Sequence, residues 1–251
     1  MFCCQLRESE HSVKRRTLIR RASAEFLGTF LLVATVVGSG IMGSLLSDNL
    51  ALTLLINALA TVAALGVLIW VLGPTSGAHF NPVVSGVEIA RREMPVAEGV
   101  VFIVAQVVGA CLGAVLANVM FRLPPVETSG TVRTGMGVWI GEIVATAGLI
   151  LVIGALTRTG RGHLGPILVP AWIGAAYFFT SSTSFANPAV TIGRSLTDTF
   201  AGIAPVSVLP FIAFQIIGAI VGAVLTEWFY PRRGLPPEPL DLPGPVHGPP
   251  R

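Results

Sequence analysis

Two copies of one short phrase are the residues of this chain best suited to act on a solute. Asn81-Pro82-Val83 and Asn187-Pro188-Ala189 occur at matching places in the two halves of the sequence. Asn caps the free N–H groups of a helix start, and Pro fits the first helical position, where no N–H is needed. The amide groups both donate and accept hydrogen bonds, so they could accompany a small polar molecule without any covalent chemistry.

The composition predicts an all-α membrane protein. The chain has 251 residues, of which 53% are hydrophobic and 12% charged, with a mean hydropathy of +0.77. A soluble domain has about 25% charged residues, and a membrane-spanning helix needs about 20 apolar ones. Six stretches approach this length, at residues 23–46, 50–72, 97–121, 137–157, 164–180 and 204–229, of which the fifth is the shortest.

Basic residues are distributed unevenly between the two sides of the six predicted spans. One side carries Lys14, Arg15, Arg16, Arg20, Arg21, Arg91, Arg92, Arg158, Arg161, Arg232 and Arg233, and the other side carries Arg122, Arg133 and Arg194. Because positive residues favour the cytoplasmic face, both termini are expected inside the cell, in the inner (plasma) membrane. The net charge of +3 then reflects topology, and no nucleic-acid partner is expected.

The ends of the chain differ from its middle. Residues 1–22 form a basic cytoplasmic segment without the order of a signal peptide, so the first span is expected to be retained. Residues 23–230 form the predicted membrane-spanning domain, and the Pro-rich tail at 231–251 is predicted to be disordered. Three cysteines, Cys3, Cys4 and Cys111, have no metal-ligand spacing, so neither a metal nor a cofactor is expected.

An internal repeat relates residues 23–121 to residues 137–230. Glu25 and Glu142 each precede a Thr by four positions within a span, and the phrase that begins at Gln106 returns almost unchanged at Gln215. With three spans per half, the second copy must be inverted in the membrane. Each Asn-Pro phrase follows the second span of its half, in a segment too short to cross. We therefore expect two re-entrant half-helices whose N-termini meet at mid-membrane.

These motifs, in this order, resemble the aquaporin and aquaglyceroporin family, also called major intrinsic proteins. The resemblance covers about residues 18–230 and includes Ser76-Gly77-Ala78-His79-Phe80-Asn81-Pro82. It implies six spanning helices and two half-helices in a right-handed bundle around a pore, in each subunit of a homotetramer. It also implies passive conduction of small neutral solutes across the lipid bilayer, and no enzymatic activity.

The pore-lining residues expected on this basis surround the two helix starts. Asn81 and Asn187 would donate to a passing oxygen, and the neighbouring backbone would supply acceptors. The set comprises Gly77, Ala78, His79, Asn81, Pro82, Val83, Asn187, Pro188 and Ala189. Glu25 and Glu142 would be costly in hydrocarbon without partners, so we expect them to tether the re-entrant backbone; a proton relay is the alternative. His79 is expected to be a packed structural residue.

The informative departure from the family is Val190, which stands where most members have an arginine after the second Asn-Pro-Ala. Thr61 and either Ser184 or Phe185 complete the predicted filter, and the fifth-span position could be Ala175, Thr180 or Ser181. Without the guanidinium the constriction should be wider and less polar. This run is similar to a bacterial subgroup that lacks the filter arginine and is in part associated with arsenic. Water, glycerol-type polyols, urea, arsenite and methylated arsenicals are the candidate solutes.

Arg194 lies four residues beyond Val190, on the same helical face about 6 Å farther out. It could line the outer vestibule, or it could pair with Asp198. Its counterpart in the first repeat is Glu88, which also lies seven residues after the capping Asn. A secondary transporter is the alternative function, because inverted repeats with half-helices are also a transporter design.

Overall fold

Residues 2–232 are the part of the chain that this computed structural model describes, with side chains from residue 17 onward. They form α-helices and one short 3₁₀ turn at Gly162–Leu164, and no strand occurs among them. The helices are α1 (Phe2–Leu46), α2 (Leu50–Ser76), α3 (Pro82–Ala90), α4 (Val96–Met120), α5 (Met136–Arg158), α6 (Gly165–Phe179), α7 (Pro188–Arg194) and α8 (Pro205–Phe229).

Six of these helices are long and apolar enough to cross a membrane, which confirms the all-α membrane fold expected from the sequence. Their bounds lie close to the predicted spans, with one informative difference. The second span was predicted to end at residue 72, but α2 continues through Pro74 to Ser76. The helix ends at Gly77, whose left-handed φ of 96° lets its N–H donate to the Gly73 carbonyl. Most of the predicted disordered tail lies outside the described residues.

Glycines allow two helix pairs to cross at very short range. A Cβ added at Gly109 would lie 2.4 Å from the Phe26 oxygen, and one at Gly113 would lie 2.2 Å from the Phe30 oxygen, so α4 rests directly on the α1 backbone. The same crossing recurs between α5 and α8 at Gly218 and Gly222, with distances of 2.6 Å and 2.4 Å to backbone oxygens. These glycines serve packing, as small residues do at membrane helix interfaces.

We expect Gly113→Ala to lower the stability of the protein, because its methyl group would overlap a backbone oxygen that cannot move without shifting α1. Overpacking of this kind costs about 1–3 kcal/mol. The measurement is the thermal unfolding midpoint of the purified protein in detergent. Gly86→Ala is the matched control, since nothing lies within 4 Å of the Cβ added there. Equal midpoints for the two variants would contradict the close-crossing argument.

The two short helices, α3 and α7, begin at the Asn-Pro phrases and bridge the halves of the chain. Asn81 caps α3 by accepting from Val83 N (3.1 Å), and Asn187 caps α7 by accepting from Ala189 N (3.0 Å). Each half-helix packs against both α4 and α8, the third spanning helix of each repeat. The fold therefore brings the two helix starts into one place.

Candidate functional site

The two capping asparagines meet tip to tip through a reciprocal pair of hydrogen bonds. Asn81 Nδ2 donates to the Ala186 carbonyl, and Asn187 Nδ2 donates to the Phe80 carbonyl, each at 2.8 Å. Since an amide nitrogen has two hydrogens, each asparagine keeps a second N–H beyond this bond. The site thus holds two oriented donors at the meeting point of two helix N-termini.

Glu25 holds the segment that leads into α3. Its carboxylate is fully buried in α1 and accepts from Ser76 Oγ (2.6 Å), His79 N (3.0 Å), Phe80 N (2.7 Å) and Gln106 Nε2 (2.8 Å). A carboxylate has about four acceptor positions, and here four donors use them. The charge is therefore compensated inside an apolar bundle.

Glu142 does the same for the segment that leads into α7. Its fully buried carboxylate accepts from Phe185 N (3.0 Å), Ala186 N (2.9 Å) and Gln215 Nε2 (2.6 Å). In both halves the two backbone donors are the residues one and two positions before the capping Asn. Each carboxylate therefore binds the backbone that leads into one half-helix.

Left-handed residues shape both approaches to the caps. Ala78 and Phe80 have φ of 53° and 47°, and their repeat counterparts Ser184 and Ala186 have 53° and 47°. Non-glycine residues in this region cost about 1–2 kcal/mol each and persist only when their surroundings fix them. The carboxylate bonds to Phe80 N and Ala186 N are such a constraint, so the tethers hold the backbone in the form that brings it to the caps.

Two glutamines also bind the glutamate carboxylates. No such role was predicted for them from the sequence. Besides binding the carboxylates, Gln106 Nε2 donates to Ser85 Oγ (3.0 Å) and Gln215 Nε2 donates to Thr191 Oγ1 (2.9 Å). Ser85 and Thr191 each lie four residues after a capping Asn. The signal was available, because a buried amide repeated at equivalent places in both halves needs a polar partner.

Both capping asparagines line one cavity of about 370 Å³. Its wall is built from pairs and triplets at i, i+4 spacing, with Thr61, Leu65 and Ile69 on α2 and Val169, Ile173 and Tyr177 on α6. The expected site residues in the wall are Thr61, Gly77, Ala78, His79, Asn81, Ser184, Phe185, Asn187 and Val190. The cavity therefore extends past both asparagines. We call this path the route.

Four residues expected in the pore lining do not belong to this wall. Pro82, Val83, Pro188 and Ala189 form the first turns of α3 and α7, and the last three are buried in the protein. At a helix start only one side of the turn can face the cavity, and the capping Asn and Val84 or Val190 occupy that side. The wall thus contains the asparagine of each phrase and not the two residues that follow it.

Tyr177 faces the cavity from α6, where the sequence analysis had left Ala175, Thr180 and Ser181 open. None of those three lies in the wall. Tyr177 donates its hydroxyl to Thr61 Oγ1 at 3.3 Å. Both residues line the cavity, as does the apolar side chain of Val190.

Arg194, for which the sequence left a vestibule position or a pairing with Asp198 open, is buried in the cavity wall. Its side chain is only 3% exposed, it belongs to the cavity wall, and its guanidinium carbon lies 3.5 Å from the centre of the Phe185 ring. The alternative pairing with Asp198 is absent, since Asp198 accepts from Gly130 N (2.9 Å) and Ser129 Oγ (3.4 Å) instead. The aromatic face, rather than a carboxylate, compensates the charge.

His79 is held on two sides. Its Nδ1 lies 3.0 Å from Ser85 Oγ, and its ring packs edge-on against Phe102 at 5.6 Å. In the second repeat Phe185 takes the equivalent place and packs against Phe211 at 5.0 Å. An aromatic ring two residues before each capping Asn is thus a packing element in both halves.

Comparison with known proteins gives consistent relatives. Residues 12–184 match the family model for major intrinsic proteins. Aquaglyceroporin AqpS of Rhizobium meliloti (strain 1021) is 48% identical over 211 residues, which cover 84% of this chain and 90% of that protein. The probable aquaporin AqpM of Archaeoglobus fulgidus is 30% identical, with 85% and 96% covered. The X-ray structure of the aquaglyceroporin from Plasmodium falciparum superposes with a TM-score of 0.62 at 22% identity, covering 86% of this chain and 96% of that one, and so supports the fold.

Proposed function

Since the chain belongs to the major intrinsic protein family, which is a family of channels, we propose that it is a passive channel for small uncharged solutes that excludes protons and ions. The observation that carries the proposal is the cavity whose wall contains both capping asparagines. Two helix N-termini meet there, each equivalent to about half a positive charge. This field opposes cations and costs a neutral molecule little.

The route offers a solute polar groups on one side and apolar walls on the other. Spare N–H groups of Asn81 and Asn187 replace hydrogen bonds that a hydroxyl group loses on leaving water. Apolar residues such as Leu149 and Ile173 line the remaining wall. A molecule that carries hydroxyl groups on a short carbon backbone fits this division, as glycerol does.

The proposed solutes are water and glycerol-type polyols, with urea, arsenite and methylated arsenicals as further candidates. Val190 removes a guanidinium from the usual narrow point, and Thr61 adds a small side chain opposite Tyr177. Both features widen the passage for molecules larger than water. The relative at 48% identity is named an aquaglyceroporin, which supports the polyols.

The membrane arrangement is also a proposal beyond the six apolar helices. Both termini lie in the cytoplasm and the chain resides in the plasma membrane, since the basic residues favour this orientation. Large apolar side chains cover the outside of the bundle, among them Leu59, Trp70 and Leu209. Such a surface suits lipid and the neighbouring subunits of a homotetramer.

Reconstitution in liposomes tests the proposal against its alternative, a secondary transporter. Stopped-flow light scattering in a glycerol gradient, with a proton-sensitive dye inside the vesicles, should show glycerol entry proportional to the gradient and no change of internal pH. Accumulation of glycerol against its gradient, driven by a proton or sodium gradient, would establish the transporter instead. Vesicles without protein are the baseline.

A further inference from the structure

We propose that Arg194 supplies the positive charge that Val190 lacks, one helical turn farther along α7, and that this displaced guanidinium keeps cations out of a widened channel. The inference rests on the proposed function. Both residues belong to the cavity wall, and their i, i+4 spacing places them on one face of α7. The charge is therefore moved along the route rather than lost.

The hydrogen bonds of Arg194 leave donors for a solute. Its Nε donates to the Ala201 carbonyl, and within the described residues its two terminal nitrogens have no hydrogen-bond partner. The planar group lies on the Phe185 ring, which fixes its plane without using an N–H. A buried guanidinium with unpaired donors in a cavity wall can face the passing molecule, whose oxygen atoms are the acceptors it needs.

Arg133 contacts the same Phe185 ring, but its guanidinium has a structural role because it binds backbone carbonyls. It lies 5.3 Å from the centre of Phe185, and it donates through Nε to Gly202 O (2.9 Å) and through a terminal nitrogen to Phe200 O (3.2 Å). It does not belong to the cavity wall. Two arginines thus contact one ring, and only Arg194 combines this contact with the route.

The position of Arg194 makes it an entrance barrier. Since the two helix starts meet at the caps, α3 and α7 extend away from each other, and Glu88 and Arg194, each seven residues after its capping Asn, line the cavity beyond the caps. A full charge on Arg194 exceeds the half charge of either helix end. A cation that enters from the Arg194 end meets this guanidinium before it reaches the asparagines, while a neutral polyol can accept its hydrogen bonds.

The test compares cation and glycerol fluxes in the same proteoliposomes for the wild type, Arg194→Met and Arg194→Lys. Methylammonium is the probe, because it is a small monovalent cation. We expect Arg194→Met to raise the ratio of methylammonium to glycerol flux by about tenfold or more, which corresponds to about 1.4 kcal/mol of barrier. Arg194→Lys should stay near the wild-type ratio, because it keeps the charge. A merely structural role would change both fluxes together and leave the ratio unmoved.

A double variant keeps the proposal falsifiable. Val190→Arg combined with Arg194→Met returns the charge to the position one turn inward and should restore cation exclusion. If Arg194→Met does not fold, Arg194→Gln takes its place against Arg194→Lys. If the ratio of methylammonium to glycerol flux stays at the wild-type value in both Arg194→Met and Arg194→Gln, with glycerol flux intact, this inference is overturned and the proposed function is not. Absence of glycerol flux in the wild type would instead overturn the proposed function.

Discussion

Replacement of Glu25 by alanine is expected to abolish the assembled channel. Four donors lose their acceptor inside the bundle, namely Ser76 Oγ, the N–H groups of His79 and Phe80, and Gln106 Nε2. Each unpaired buried donor costs about 1–3 kcal/mol, so the loss from four of them should reach at least about 4 kcal/mol. The left-handed Phe80 would also lose its constraint. The measurements are the thermal unfolding midpoint in detergent and the glycerol flux in liposomes.

Two further variants sharpen this test. Glu127→Ala removes an exposed carboxylate and should leave both the midpoint and the flux unchanged. Glu25→Gln distinguishes a tether from a proton relay. Its amide NH2 group would face donors that need an acceptor, so the tethering role predicts that this variant is also destabilised. A Glu25→Gln protein with normal stability and altered proton flux only would contradict the tethering role.

Replacement of Val190 by arginine is expected to have the second largest effect, in this case on the selectivity between glycerol and water. Val190 lines the same cavity as the Tyr177–Thr61 hydroxyl pair, so Val190→Arg narrows the route and adds donors to its wall. Glycerol flux should fall by about tenfold or more relative to water flux, which corresponds to about 1.4 kcal/mol. Stopped-flow measurements of water and glycerol permeability in one vesicle preparation give this ratio.

The control for this variant makes the same chemical change away from the cavity. Val126 is exposed in the loop between α4 and α5, so Val126→Arg should leave both permeabilities as they are in the wild type. Equal losses of water and glycerol flux in a folded Val190→Arg protein would contradict the proposed position of the filter, because a narrowed filter should exclude glycerol more than water.

The sequence predicted the helices and the internal symmetry well. Long apolar runs, two Asn-Pro helix starts and two intramembrane glutamates are strong local signals, because each has few alternatives inside a membrane. The structure has six long apolar helices near the predicted bounds, and the capping asparagines contact the opposite repeat. These features depend on residue type and on spacing along the chain.

The side chains that face the cavity were harder to predict. A spanning helix is apolar on all sides, so its hydrophobic pattern does not distinguish the face toward lipid from the face toward the route. Tyr177 was missed for this reason, and the expected fifth-helix residues lie outside the wall. The spacing from Val190 predicted the helical face of Arg194. It could not reveal that the guanidinium lies on the Phe185 ring.

Solutes are proposed to cross the protein through one continuous passage past both asparagines, and cysteine labelling tests this passage most directly. In a chain whose own three cysteines are replaced by alanine, a single cysteine is placed at Thr61 or Thr157, which line the cavity on different helices. Leu59→Cys is the control, because Leu59 lies on the same helix as Thr61 and is 61% exposed on the outside.

Complete reaction with a bulky maleimide should stop glycerol flux through the Thr61→Cys and Thr157→Cys proteins. The same reaction should leave flux through the Leu59→Cys protein unchanged. Undiminished glycerol flux after full labelling at Thr61 or Thr157 would show that the solute does not travel this route and would contradict the account.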